Sequence, residues 1–102
     1  MGRIIVCKAA ELPQGKMQKV AADGKEILVA NINGNFYAMD DTCTHSGASL
    51  SEGTIDGNNV VCGWHGAKFD CTTAKLAEFP VKIKDLRSYK VVVDSDNVFL
   101  EF

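Results

Sequence analysis

Two histidines and four cysteines stand in this chain. Each histidine closely follows a cysteine, as Cys43-x-His45 and Cys62-x-x-His65, with sixteen residues between the two pairs. Thiolate sulfur suits zinc and iron, and imidazole nitrogen suits both. Two Cys and two His can close tetrahedrally on one zinc ion. The same side chains fit a two-iron centre in which the cysteines hold one iron, the histidines hold the other, and each loop spans both metals. Gly47 and Gly66 follow the histidines. A residue without Cβ lets backbone N–H groups come close to bridging sulfides, which accept such bonds. Cys7, in an apolar run, reads as a small hydrophobe, and Cys71 reads as inert packing. Two disulfides are the competing use of four cysteines. The opening MGRIIVCKAA does not read as a signal peptide, so the oxidising compartment that favours disulfides is not indicated.

These pairs must be held by strands. Ile4 to Cys7, Lys25 to Ile32, Phe36 to Met39, Thr54-Ile55, Asn59 to Val61, Tyr89 to Val93 and Val98 to Phe102 are short apolar runs. Asn33-Gly34-Asn35, Asp56-Gly57-Asn58 and Asp94 to Asn97 separate them as hairpin turns. Val98, Leu100 and Phe102 share a strand face, with Phe99 interrupting the alternation. Thr72 to Phe79 reads as a helical turn ended by Pro80. Residues 42–53 and 62–67 are polar or Gly-punctuated loops, and each follows a strand directly. The expectation is an all-β chain in which two loops, side by side, hold a metal centre.

At 102 residues, 46% hydrophobic and 24% charged, residues 1–102 make one ordinary globular domain. A net charge of −2 gives no basic footprint for nucleic acid. No apolar run reaches the roughly 20 residues of a membrane helix. Val6 stands where an N-myristoylation signal wants Ser or Thr. The chain reads as a cytoplasmic monomer with no membrane contact.

CTHSG and CGWHGAKFD resemble both halves of the Rieske cluster motif, and the likeness extends along the whole chain. The resemblance implies one [2Fe–2S] cluster per chain on an antiparallel β-sandwich or barrel-like base, with a small cluster-binding subdomain of two loops, about residues 42–70. Matched residue by residue, Cys43 and Cys62 would bind the inner iron, and His45 and His65 the outer iron. The histidines' other ring nitrogens would reach solvent. Pro80 resembles the loop that covers the cluster. Trp64 reads as a shield over the cluster edge or as core packing. The high-potential branch carries an extra cysteine pair where Ala48 and Trp64 stand here. It also carries a Ser and a Tyr where Ala67 and Phe69 stand, and neither of these can donate to a cluster sulfur. Donors stabilise the extra charge of the reduced state, so their loss implies a low potential within the Rieske range of roughly −150 to +300 mV. Two histidines in place of two thiolates still leave the centre less negative than a four-Cys cluster, and so easier to reduce.

The resemblance is to soluble ferredoxins that take electrons from a flavin-containing, NAD(P)H-dependent ferredoxin reductase and pass them to a terminal oxygenase. A cluster-bearing small subunit of a larger oxidoreductase, such as nitrite reductase, is the alternative. A complete oxygenase needs two more histidines and a carboxylate for a non-haem iron. A reductase needs a nucleotide site, and no G-x-G-x-x-G follows a strand. The chain therefore reads as an electron-transfer component with no catalytic site of its own. Residues 38–70 hold Asp40, Asp41, Glu52, Asp56 and Asp70 against Lys68 alone. That imbalance suggests an acidic docking face, testable by reversing Asp40 and Asp41 to Lys.

Overall fold

The structure, a computed structural model, describes residues 3–22, 24–42, 49–63, 66–78 and 86–101, with the backbone alone at residue 78. Its strands are β1 (Arg3–Lys8), β2 (Met17–Ala22), β3 (Lys25–Ile32), β4 (Asn35–Asp40), β5 (Thr54–Asp56), β6 (Asn59–Val61), β7 (Lys68–Asp70), β8 (Leu76–Glu78), β9 (Ser88–Asp94) and β10 (Asn97–Glu101). They form a six-stranded sheet, ordered β1-β10-β9-β4-β3-β2, and a four-stranded sheet, β5-β6-β7-β8. The pairings are antiparallel. Among the described residues the only helical pieces are single 3₁₀ turns at Ala9–Glu11 and Leu50–Glu52. The all-β expectation holds.

Two of the expected hairpins close with two-residue turns whose central residues both have positive φ, at Asn33 (55°) and Gly34 (90°) and at Ser95 (52°) and Asp96 (66°). Such turns match the right-handed strand twist, and Asn, Asp and Gly tolerate the conformation. The third, between β5 and β6, has positive φ at Gly57 (61°).

Strand β3 explains why KEILVANI is nearly continuously apolar. Leu28, Ala30 and Ile32 face one core with Met39, Leu50, Val60, Cys62, Ala67 and Phe69. Ile27 and Val29 face the other with Leu12, Ala38, Val98 and Leu100. A period of two sends alternate residues to opposite faces, and here both faces are covered. Asn31 is the one polar residue among the buried positions of this strand. Its Nδ2 donates to the Leu12 carbonyl (2.8 Å), and its Oδ1 accepts from Gly34 N–H (2.9 Å), so its burial is compensated. Phe99 breaks the β10 alternation because it faces outward beneath the Arg3 guanidinium, 5.3 Å from the ring centroid. Phe102 lies outside the described residues.

Two expectations need correction. Thr72 to Phe79 does not form a helical turn over its described residues. Asp70 Oδ1 accepts from the Thr72 N–H (2.8 Å) and Thr72 Oγ1 (2.6 Å), which turns the chain. Ala74 then takes φ 64°, and Leu76–Glu78 returns as a strand beside β7. The second correction is β2. MQKVAA was not among the expected strands, yet it pairs along all six residues with β3. The small sheet continues to Glu78, beyond the residue 70 at which the two-loop region was expected to end.

Candidate metal centre

Both ligand loops are tips of antiparallel closures. In the first, an isolated bridge pairs Thr42 with Ser49. Cys43, His45, Gly47 and Ala48 lie outside the described residues. The second tip links β6 to β7. Cys62 N–H donates to the Ala67 carbonyl (2.8 Å), and Gly66 N–H donates to the Cys62 carbonyl (3.0 Å). Gly66 has φ 75°, a conformation that L side chains resist. His65 and Trp64, within this tip, lie outside the described residues, as does Pro80. Of the four expected ligands, the described residues thus include Cys62, buried at 1% exposure. It stands at the base of a tip fixed by two backbone bonds, directly above the core shared with Leu50, Ala67 and Phe69.

One glycine sets the approach of the two loops. Gly53 ends the 3₁₀ turn of the first loop, where its N–H donates to the Leu50 carbonyl (3.0 Å). A Cβ on Gly53 would lie 2.0 Å from the Val61 carbonyl oxygen and 3.2 Å from that of Leu50. Gly63, just after Cys62, would place a Cβ 3.9 Å from the Gly53 Cα. The backbone leaving the first loop therefore lies against the backbone entering the second. Gly53 did not emerge as a site residue from the sequence. Its signal is a glycine after a lone apolar residue, Leu50, in an otherwise polar loop.

The other cysteines fill the packing roles expected of them. No disulfide joins any two of Cys7, Cys62 and Cys71. A framework of two disulfides would have to pair two of these three, and the described residues show no such pair. Cys71 is buried in the same core as Cys62. Burial, and then the charge of Asp70, push its thiol up to about 11, opposed by a hydrogen bond with the Val60 backbone. The thiolate is the reactive form. Cys71 is accordingly expected to resist iodoacetamide in the native protein at mildly alkaline pH and to react once the chain is unfolded. Peptide mass mapping reads this directly, and rapid native modification would contradict the burial.

Of the five acids of the expected docking face, Glu52 and Asp56 are exposed and Asp40 and Asp70 half-buried, but Asp41 does not belong to it. Asp41 is fully buried. Asp40 bridges β4 and β9, accepting from Tyr89 Oη (2.6 Å) and Arg87 N–H (3.1 Å). Burial, then the hydrogen bond and charge of Asp40, push the Tyr89 phenol up to about 12, against the pull of Arg87. Asp56 pairs with Lys68 (3.0 Å), and Asp70 holds its turn. Reversing Asp41 to Lys would put an ammonium in the core rather than on a docking surface.

Against known proteins, the Rieske [2Fe–2S] domain family matches residues 2–90. The chain is similar to the ferredoxin component of the p-cumate 2,3-dioxygenase system of Pseudomonas putida, 35% identical over 98 residues that cover 94% of the chain and 82% of the relative. It is similar to the 3-phenylpropionate/cinnamic acid dioxygenase ferredoxin subunit of Photorhabdus laumondii, 37% identical over 101 residues, covering 98% and 94%. Among solved structures it resembles a chain from the complex of reduced oxygenase and oxidized ferredoxin in carbazole 1,9a-dioxygenase. There the TM-score is 0.90 at 35% identity, with 96% of this chain and 100% of that chain covered.

Proposed function

The chain belongs to the Rieske [2Fe–2S] family, and from that premise we propose that it is a one-electron carrier between a flavin-containing, NAD(P)H-dependent ferredoxin reductase and a terminal oxygenase. It carries one [2Fe–2S] cluster, held by Cys43 and Cys62 on one iron and by His45 and His65 on the other. The residues present fit that group. Soft sulfur and imidazole make up the donor set, and Cys62 stands at a fixed hairpin tip. Gly53 lets the second loop lie against the first. When bound, the cluster takes up and gives back a single electron.

The chain's own residues supply position and dryness. The bonds from Cys62 to Ala67 and from Gly66 to Cys62 hold the tip, and Leu50 and Phe69 close the core beneath it. The observation that carries the carrier reading is that both histidines of the chain stand in the two loops, leaving none for a second metal site. Oxygenation is assigned to a partner, as in the two-component complex of oxygenase and ferredoxin that the chain resembles. Among the described residues no helix is long and apolar enough to cross a membrane. We place the carrier in the cytoplasm, where its reductase would find pyridine nucleotide.

Reconstitution tests this reading. With reductase and oxygenase fixed, substoichiometric amounts of the chain are expected to support many oxygenase turnovers, and omitting it is expected to stop them. Product formed by the chain alone would contradict a carrier without its own catalytic site.

The reduction potential has a local handle. Ala67 and Phe69 are both fully buried beside Cys62. Ala67→Ser would introduce a hydroxyl at the tip, able to donate to a cluster sulfur. The expected shift is upward by about 40 mV, the one-electron equivalent of a hydrogen bond of about 1 kcal/mol. Phe69→Tyr is expected to act in the same direction. Protein-film voltammetry and a melting curve separate the outcomes. A hydroxyl without a partner would leave the potential unchanged and lower stability by about 1–3 kcal/mol.

A further inference from the structure

Asp41 is a fully buried carboxylate, two residues before Cys43, that the carrier function has not used. Among the described residues its side chain is held from the first loop. Asp41 Oδ1 accepts from Ser51 N–H (2.8 Å), and Oδ2 accepts from the Ser49 hydroxyl. The Ser49 and Ser51 hydroxyls lie 3.0 Å apart. On the main chain, Asp41 N–H donates to the Glu26 carbonyl (3.1 Å), and its own carbonyl accepts from Leu50 N–H (2.6 Å). Thr42 pairs with Ser49 directly above. One residue thus ties β3 on one side to three consecutive residues, Ser49, Leu50 and Ser51, on the other.

A buried carboxylate is tolerated only where donors replace water, and here both donors to its side chain among the described residues come from the far side of the loop. Burial also strengthens these bonds, because little solvent competes for them. The loop mouth between Thr42 and Ser49 is therefore held shut by Asp41, and six residues, 43–48, span it. Leu50, bonded to the Asp41 carbonyl, is at 0% exposure in the core that also holds Cys62. That places the clamp in register with the second loop. From this geometry we infer that Asp41 is a positioning residue for the cluster: its buried carboxylate fixes the loop that carries Cys43 and His45. The inference rests on the cluster assignment above.

The amide of Asp41→Asn keeps an acceptor for Ser51 N–H. Its NH₂ donates to Ser49, whose hydroxyl can turn to Ser51, so the clamp survives without the charge. Asp41→Ala removes the clamp. For natively purified proteins the readouts are iron and labile sulfide content, the EPR spectrum of the reduced state, and the rate of cluster release to a chelator. Wild type without labile sulfide would overturn the cluster assignment itself. Given a cluster, Asp41→Ala is expected to release it about tenfold faster (about 1.4 kcal/mol) with a broadened EPR signal, and Asp41→Asn is expected to restore both. An Asp41→Ala protein with wild-type spectrum and release rate, even at a lower melting temperature, would overturn the inference. Should Asp41→Ala fail to accumulate, Ser49→Ala carries the test. Faster release supports the clamp, and an unchanged rate and spectrum overturns it.

Discussion

Cys62→Ala is expected to yield a folded protein with no cluster: colourless, free of labile sulfide and silent to one-electron reduction. The fold should survive because the bonds that hold this tip are made by backbone. Cys62 N–H to Ala67 and Gly66 N–H to Cys62 are both available to alanine. Removing one buried sulfur costs about 1 kcal/mol of packing, far less than a domain's stability. The metal loses one of four ligands, and of the two thiolates on its iron it loses half. Cys71 supplies the control. It shares the same core and is buried to 3%, yet it stands beyond β7 with its thiol pushed up by burial. Cys71→Ala should keep the full complement of iron and sulfide. Retention of the cluster by Cys62→Ala, or its loss from Cys71→Ala alone, would show that the ligand set is wrong.

Gly53→Ala is expected to be the most damaging single methyl in the described structure. Its Cβ would sit 2.0 Å from the Val61 carbonyl oxygen. Both partners are backbone, so no side chain can swing aside, and the two loops must separate. Overpacking of this kind costs about 3 kcal/mol, or about 12–24 °C in Tm for a domain near this size. The cluster should suffer further, since it requires ligands from both loops at once. Among the described residues Gly63→Ala meets the Gly53 Cα at 3.9 Å, an ordinary contact, and it is expected to cost less than about 1 kcal/mol. Differential scanning calorimetry with iron analysis reads both variants. A Gly53→Ala protein that melts within a few degrees of wild type with a full cluster would mean that the close approach does not set the loop spacing.

Much of this fold can be read from residue patterns. Asn33-Gly34 and the Asp94–Asn97 turn declare their hairpins because positive φ restricts the residue types that fit. The run KEILVANI declares a strand covered on both faces. What escaped the sequence depends on contacts that local pattern does not carry. MQKVAA mixes polar with apolar residues, and its pairing with β3 is decided by the neighbour. Leu76–Glu78 is three residues long, and its direction is set by the Asp70 side chain holding the preceding turn. At the site, the Cys and His spacing revealed the donor set, whereas the groups that hold the loops in place did not stand out. Asp41 looked like a surface acid because carboxylates are rarely buried, and the convergence of Ser49 and Ser51 on it makes its burial acceptable. Gly53 looked like a loop glycine because its close partner, Val61, is a strand residue brought in by tertiary folding.

The central claim is a two-iron cluster bound through both sulfur and imidazole. Its most direct test is pulsed EPR on the dithionite-reduced protein labelled with ¹⁵N at histidine alone, alongside iron, zinc and labile sulfide analysis. With two histidines in the chain, the label reports on His45 and His65 and nothing else. The account predicts two irons and two labile sulfides per chain, with strong hyperfine coupling to two histidine nitrogens. Stoichiometric zinc without sulfide, or a [2Fe–2S] signal that shows no coupling to the labelled histidines, would contradict it.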